Sequence, residues 1–131
     1  MDELTVYTAG FFDGEGCVTS GNYNGVSSVR INLAQKHLPV LLDIQKRWGG
    51  GISKHSQQDD VWMLWMSKQK ETKTFLEAIY PHVRVKKKEV AYAILALRNS
   101  GPAKELLIQR MRLAAQERRE EKFECPQSTV Q

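Results

Sequence analysis

The sequence predicts an α+β fold, an α-β-β-α-β-β-α core followed by two further C-terminal helices. Two observations carry that prediction. The apolar period switches from helical to two-residue spacing and back, and glycine or proline stands near most of the switches. The α-β-β order therefore occurs twice, although no repeat is visible in the residues themselves.

Residues 3–14 are predicted helical because Leu4, Tyr7, Thr8, Phe11 and Phe12 recur at helical spacing until Gly14-Glu15-Gly16 stops the run. From Cys17 the period falls to two. Bulky apolar residues alternate with polar or small ones from Val29 to Gln35, as in a strand with one buried face. An earlier strand near 17–23 pairs with it through the turn-rich Asn22-Tyr23-Asn24-Gly25. Pro39 opens a second helix along Leu41, Ile44 and Trp48, and Gly49-Gly50-Gly51 closes it. Short strands are expected at 51–56 and 61–66, joined by the polar Gln57-Gln58-Asp59-Asp60. Phe75, Leu76, Ile79 and Tyr80 mark a third helix ended by Pro81, and Val90, Ala91, Ile94, Leu95 and Arg98 a fourth. After the Asn99-Ser100-Gly101-Pro102 break, Ala103, Leu107, Met111 and Ala114 mark a fifth. Arg118-Arg119-Glu120-Glu121-Lys122 reads as a solvated mixed-charge face. One domain is expected over 1–122, with a disordered tail over 123–131.

The 131 residues carry 19 Lys+Arg against 15 Asp+Glu, a net charge of +4. That balance admits polyanionic partners without requiring them. Cys17 and Cys125 match no metal or redox spacing, so two reduced thiols in a reducing compartment are expected. Met1-Asp2-Glu3-Leu4 has neither the basic nor the apolar region of a signal peptide, and no apolar run reaches the roughly 18 residues of a membrane span. The expectation is a soluble intracellular protein, with bacterial, phage and organellar settings all open. His37, His55 and His82 have no ligand spacing.

The chemistry concentrates in Thr8-Ala9-Gly10-Phe11-Phe12-Asp13-Gly14-Glu15-Gly16. Gly10 and Gly14 each cost a helix about 1 kcal/mol relative to Ala, a cost that close packing by a second helix would offset. The interface expected for that contact is Ala9, Gly10, Phe12 and Asp13. Glu15 faces the negative pole of its own helix, and a bound cation would reverse the sign of that interaction. Its carboxylate and the peptide oxygen of Gly14 are hard ligands suited to Mg²⁺. Taken alone, Asp13-Gly14-Glu15-Gly16 also reads as a polar glycine-rich turn.

The whole nine-residue stretch, preceded by a short helix and followed by paired strands, resembles the signature of the LAGLIDADG homing endonucleases. The resemblance spans residues 4–98. It includes the strand ending Ala34-Gln35-Lys36, the Trp48-Gly49-Gly50-Gly51 turn, the Phe75-Leu76 helix and the segment Pro81-His82-Val83-Arg84-Val85-Lys86. It implies an antiparallel, saddle-shaped sheet and a Mg²⁺-dependent DNA endonuclease active in intron homing. It further implies catalytic roles for Glu15, for Gln35, which would hold a water or metal, and for Lys86, which would lie near the scissile phosphate. Asp13 would support the helix end. Thr8 stands where the family usually has a larger apolar residue, and Glu15 where Asp is equally common.

One motif per chain implies a homodimer on double-stranded DNA, with two Glu15 carboxylates near the two strands of a long, pseudo-palindromic site. Family precedent implies 3′ overhangs. The strands would lie in the major groove, with Val29, Ile31 and Leu33 inward and Thr19, Arg30 and Asn32 outward. The same parity assigns Lys54 and Ser56 to DNA. For Val61 to Met66 periodicity does not choose a face, and Trp62 and Leu64 are assigned to the core. The run Arg84-Val85-Lys86-Lys87-Lys88 offers candidate phosphate contacts, Arg84 and Lys88 among them, and Lys87 and Lys88 read equally as a solvated helix start. The alternatives are an intron maturase or other non-catalytic nucleic-acid-binding protein of the same fold, which would bring RNA as a partner, and a structural dimerisation domain.

Overall fold

The computed structural model describes residues 2–55, 57 and 60–124. The order is α1 (Glu3–Glu15), β1 (Gly16–Tyr23), β2 (Val26–Gln35), α2 (Leu38–Trp48), β3 (Gly51–Lys54), β4 (Trp62–Met66), α3 (Gln69–Ile79), a 3-10 turn (Tyr80–His82), α4 (Lys87–Leu97) and α5 (Gly101–Glu120). This is the α-β-β-α-β-β-α-α-α succession expected from the period changes. Among the described residues no helix is long and apolar enough to cross a membrane. Ser56, Cys125 and the expected tail beyond Glu124 lie outside the described residues.

Two antiparallel hairpins, β1-β2 and β3-β4, join through β2 and β4 into one sheet of order β1-β2-β4-β3. Val18, Val29, Ile31, Leu33, Leu64 and Met66 point to the helices, where Phe12, Leu41, Ile44, Phe75, Leu76, Ile79 and Val90 complete the core. Phe75 meets the rings of both Phe12 and Trp48 edge-on, at centroid distances of 5.9 and 5.2 Å. Where β4 ends, the Gln69 side chain takes its place beside β2. Its Oε1 accepts from the Val29 N–H at 3.0 Å, and its Nε2 donates to the Val29 carbonyl at 2.9 Å.

The Gly49-Gly50 turn has φ values of 103° and 97°, a region side chains avoid, and a Cβ on Gly50 would stand 2.7 Å from the Trp65 carbonyl oxygen. This turn sets the phase of β3. Ile52 pairs with Leu64 on the core side, so Gly51 and Ser53 face outward and Lys54 lies on the helix side beside Trp62, its Nζ 5.5 Å from the ring centroid. The outward assignment of Lys54 is therefore corrected: the strand begins one residue out of phase with the assumed alternation. Leu64 is fully buried and Trp62 packs against the core, as expected.

The helix α5 runs to Glu120, well past the apolar signal that marked it. It packs along α4, and Arg112 Nε donates to Ser20 Oγ at 2.8 Å. Arg118 pairs with Glu89, which is only 3 % exposed, so this arginine is not on a purely solvated face.

Candidate active site

Helix α1 has two faces of opposite fate. Thr5, Thr8, Ala9 and Phe12 are buried in the protomer's own core, whereas Glu3, Val6, Tyr7, Gly10 and Gly14 form one exposed stripe. Two expected interface residues are thus corrected: Ala9 and Phe12 are fully buried within the chain and have no surface left for a second helix. Gly10 is exposed, and a Cβ there would meet nothing within 4 Å of its own protomer. Val6 and Tyr7, at 40 % and 56 % exposure, belong to the open face and went unrecognised because helical spacing groups Tyr7 with the apolar residues of the core. The unusual Thr8 faces the core and cannot loosen a contact on the other side.

At the end of α1, Asp13 and Lys86 clamp two segments 70 residues apart in sequence. The Asp13 carboxylate accepts from the backbone N–H of Arg84 at 2.7 Å and of Lys86 at 3.1 Å. This carboxylate is held within its own protomer, which carries the expected support of the helix end but not a purely interfacial role. In return the Lys86 ammonium donates to the Phe12 carbonyl at 3.1 Å and to that of Gly16, and lies 5.7 Å from the Phe12 ring centroid. Those carbonyls carry the negative pole of the helix, which a cation stabilises. Burial holds the Lys86 pKa below its ordinary 10.5, and the Arg118 charge lowers it further, against the opposing pull of Glu89, Cys17 and Asp13.

Glu15 and Gly14 remain exposed beyond this clamp. Gly14 has open space where a Cβ would stand, and its carbonyl is among those an α-helix leaves without an intrahelical partner. Gly16 is where the chain turns into the sheet, since any Cβ there would collide with the Phe12 ring. Among the described residues, no cluster of three or more His, Cys, Asp or Glu side chains comes together. The available donors are one free carboxylate and peptide oxygens, a set that fits Mg²⁺, which takes one or two protein carboxylates and fills its shell with phosphate and water.

Strand register decides which side chains flank Glu15. Gly16 pairs with Leu33 and Cys17 with Asn32, so Asn32 is on the outer sheet face two residues from Glu15 across the ladder. Gln35 has the opposite parity, pairs with Trp62 at the C-terminal end of β2, and accepts the N–H of Lys36 with its own Oε1 at 2.8 Å. Gln35 stands only two residues past Leu33, the partner of Gly16, so it lies at the Glu15 end of the strand, with a parity opposite to that of Asn32. Asn32, assigned only to base contact, is a second amide near the helix end, on the outer face of the sheet. The signal was present, because alternation already made Asn32 outward.

The outer face carries Thr19 opposite Arg30, then Asn32 opposite Trp65, with Met63 alongside. These five line an open groove of about 420 Å³. The Arg30 guanidinium lies across Gly21, where a Cβ would come within 2.6–2.8 Å of it. Trp65, 46 % exposed, is the face residue that periodicity could not select. Arg84 and Lys88 line a different groove, between the start of α4 and the end of α5, in company with Glu117 and Glu121.

A family model described as LAGLIDADG endonuclease matches residues 8–96. The chain belongs to the LAGLIDADG endonuclease family. Curated protein sequences give no match. Among solved structures, the homing endonuclease I-CvuI, in complex with the I-CreI target in the presence of Mg and with the DNA not cleaved, superposes with a TM-score of 0.67. The two share 19 % identity over 95 % of this chain and 85 % of that one. The homing endonuclease I-TnaI gives 0.63 and 20 % identity over 87 % of this chain and 99 % of that one. The LAGLIDADG homing endonuclease I-SmaMI, bound to cleaved DNA, gives 0.67 at 13 % identity, covering 82 % of this chain but only 42 % of that one. This LAGLIDADG chain thus corresponds to less than half of I-SmaMI and to nearly all of I-TnaI.

Proposed function

We propose that this protein is a site-specific, Mg²⁺-dependent endonuclease that acts on double-stranded DNA as a homodimer. The observation that carries the reading is the end of α1. There an exposed carboxylate, Glu15, projects past a helix terminus that Asp13 and Lys86 hold rigidly, at the rim of an open antiparallel face. DNA-bound relatives of the same fold, and the family's description as endonucleases, support the same substrate.

Glu15 and the Gly14 carbonyl would hold Mg²⁺, which when bound supplies Lewis-acid stabilisation of charge at the phosphate. Lys86 has three N–H donors and commits two to Phe12 and Gly16, leaving one to reach a phosphate oxygen or water. Gln35, with Asn32 near it at the same end of β2, offers an amide to hold water or the metal. Thr19 and Arg30 contact base edges. The dimer follows from the exposed stripe Val6, Tyr7, Gly10 and Gly14, which presents apolar and backbone surface to a two-fold mate, and from the single signature in the chain.

Purified protein incubated with Mg²⁺ and a randomised duplex library should cut a discrete, near-palindromic sequence. Glu15→Gln should lose more than about 10²-fold in cleavage rate while retaining DNA affinity, as expected for a group that acts on transition-state charge. An active Glu15→Gln protein would overturn the metal assignment. Failure to cut any duplex, with tight RNA binding, would replace the nuclease by a maturase.

A further inference from the structure

The outer sheet face has a chemical anomaly at its centre. Trp65 lies in an inner strand with no helix above it, and its ring rests over Gly51 on the neighbouring strand, where any Cβ would collide with the indole. One side of the ring is therefore supported by β3, while nearly half of the residue stays open to solvent. Its direct partner on the other neighbour is Asn32, and Met63 continues the apolar surface toward Ala34 and Ser53. A contiguous apolar patch rimmed by polar residues marks a contact surface, and Trp65 and Met63 share one groove with Thr19, Arg30 and Asn32.

A major-groove edge offers one apolar feature, the C5-methyl of thymine, beside the N6 donor and N7 acceptor of the adenine paired with it. Paired residues on neighbouring strands present their Cβ atoms about 4.5–5.5 Å apart. Asn is suited to the adenine pair of groups, and an indole face to the methyl. Arg30 and Thr19 beside them supply the polar and cationic rim that a duplex requires.

We propose that Trp65 and Asn32 act as one reading unit for an A·T pair close to the cleavage position, the Trp65 indole packing on the thymine methyl while Asn32 bonds the adenine. The inference rests on the DNA-endonuclease reading above and adds residue-level specificity to it. Gly51 belongs to the same device, since only glycine leaves space for the ring.

The test uses the duplex selected from the randomised library, with each thymine replaced singly by deoxyuridine, which removes the methyl and nothing else. Wild-type protein should bind about fourfold more weakly when the reading-site thymine is replaced in one half-site, and about 16-fold when it is replaced in both, the worth of a buried methyl group once and twice. Trp65→Ala should bind the thymine and uracil duplexes equally, whereas Trp65→Phe should retain part of the preference. Each protein is compared with itself on two duplexes, so a general loss of stability cancels. A wild type indifferent to every thymine-to-uracil replacement overturns the inference without any variant, as does a Trp65→Ala protein that keeps the full preference. A protein that selects no duplex at all fails as a site-specific nuclease, whereas one that selects a site and ignores the methyls fails only here.

Discussion

The hydroxyl of Thr8 is fully buried and, among the described residues, has no hydrogen-bond partner. An unsatisfied buried hydroxyl costs about 1–3 kcal/mol, so Thr8→Val, nearly identical in shape, should stabilise the fold by about 1–2 kcal/mol in urea denaturation. Lys86 makes the opposite case, a buried cation with partners. Its folded pKa lies below 10.5, so the unfolded chain binds the proton more tightly between the two values. Stability therefore rises with pH across that window: the wild type should gain on Lys86→Met as pH climbs toward 10.5, and denaturation of the two proteins in parallel measures the difference. Asn32 and Gln35 were both visible as amides on one strand. A count from the helix end places both near Glu15, and their opposite parity sends them to opposite faces of the sheet.

Helix α1 packs Thr5, Thr8, Ala9 and Phe12 against the core and leaves Gly10 and Gly14 bare on the other side. Within one protomer Gly10→Ala should help, because alanine favours helix by about 1 kcal/mol and its Cβ meets nothing. In the proposed dimer it should hurt, because that two-fold contact would rely on backbone approach. Raised thermal stability at low concentration, with weaker self-association by sedimentation, is the expected pair of results. Gly50 differs, since its φ of 97° and the adjacent Trp65 carbonyl both exclude a side chain. Gly50→Ala should lose about 1–3 kcal/mol by chemical denaturation and disturb the phase of β3.

Across the molecule, a net charge of +4 is modest, and specific contacts rather than bulk charge must define the proposed DNA surface. A dimer that neutralises roughly 6–10 phosphates should lose about 10³–10⁵ in affinity between about 50 and 200 mM salt. A flat salt response in a titration would instead favour the structural dimerisation domain. The long-range ties serve that geometry: Asp13 and Lys86 fasten α1 to the segment before α4, and Arg118 with Glu89 fastens the end of α5 behind it.

The element order, the glycine stops and the position of Glu15 at a helix end were legible because period, capping and turn chemistry are local properties of the chain. So was the inward set Val29, Ile31 and Leu33, where apolar and polar residues alternate cleanly. Only the tertiary structure decided which face of α1 meets the core, since Tyr7 and Phe12 are both large aromatic residues and their spacing does not say which is covered. The phase of β3 likewise came from pairing with β4, whose run Trp62 to Met66 is apolar on both sides. The site at Glu15 was half visible in the same sense. Its carboxylate is announced by the residues around it, but the buried ammonium that holds the helix end arrives from Lys86, through contacts with the Phe12 and Gly16 carbonyls that no local pattern encodes.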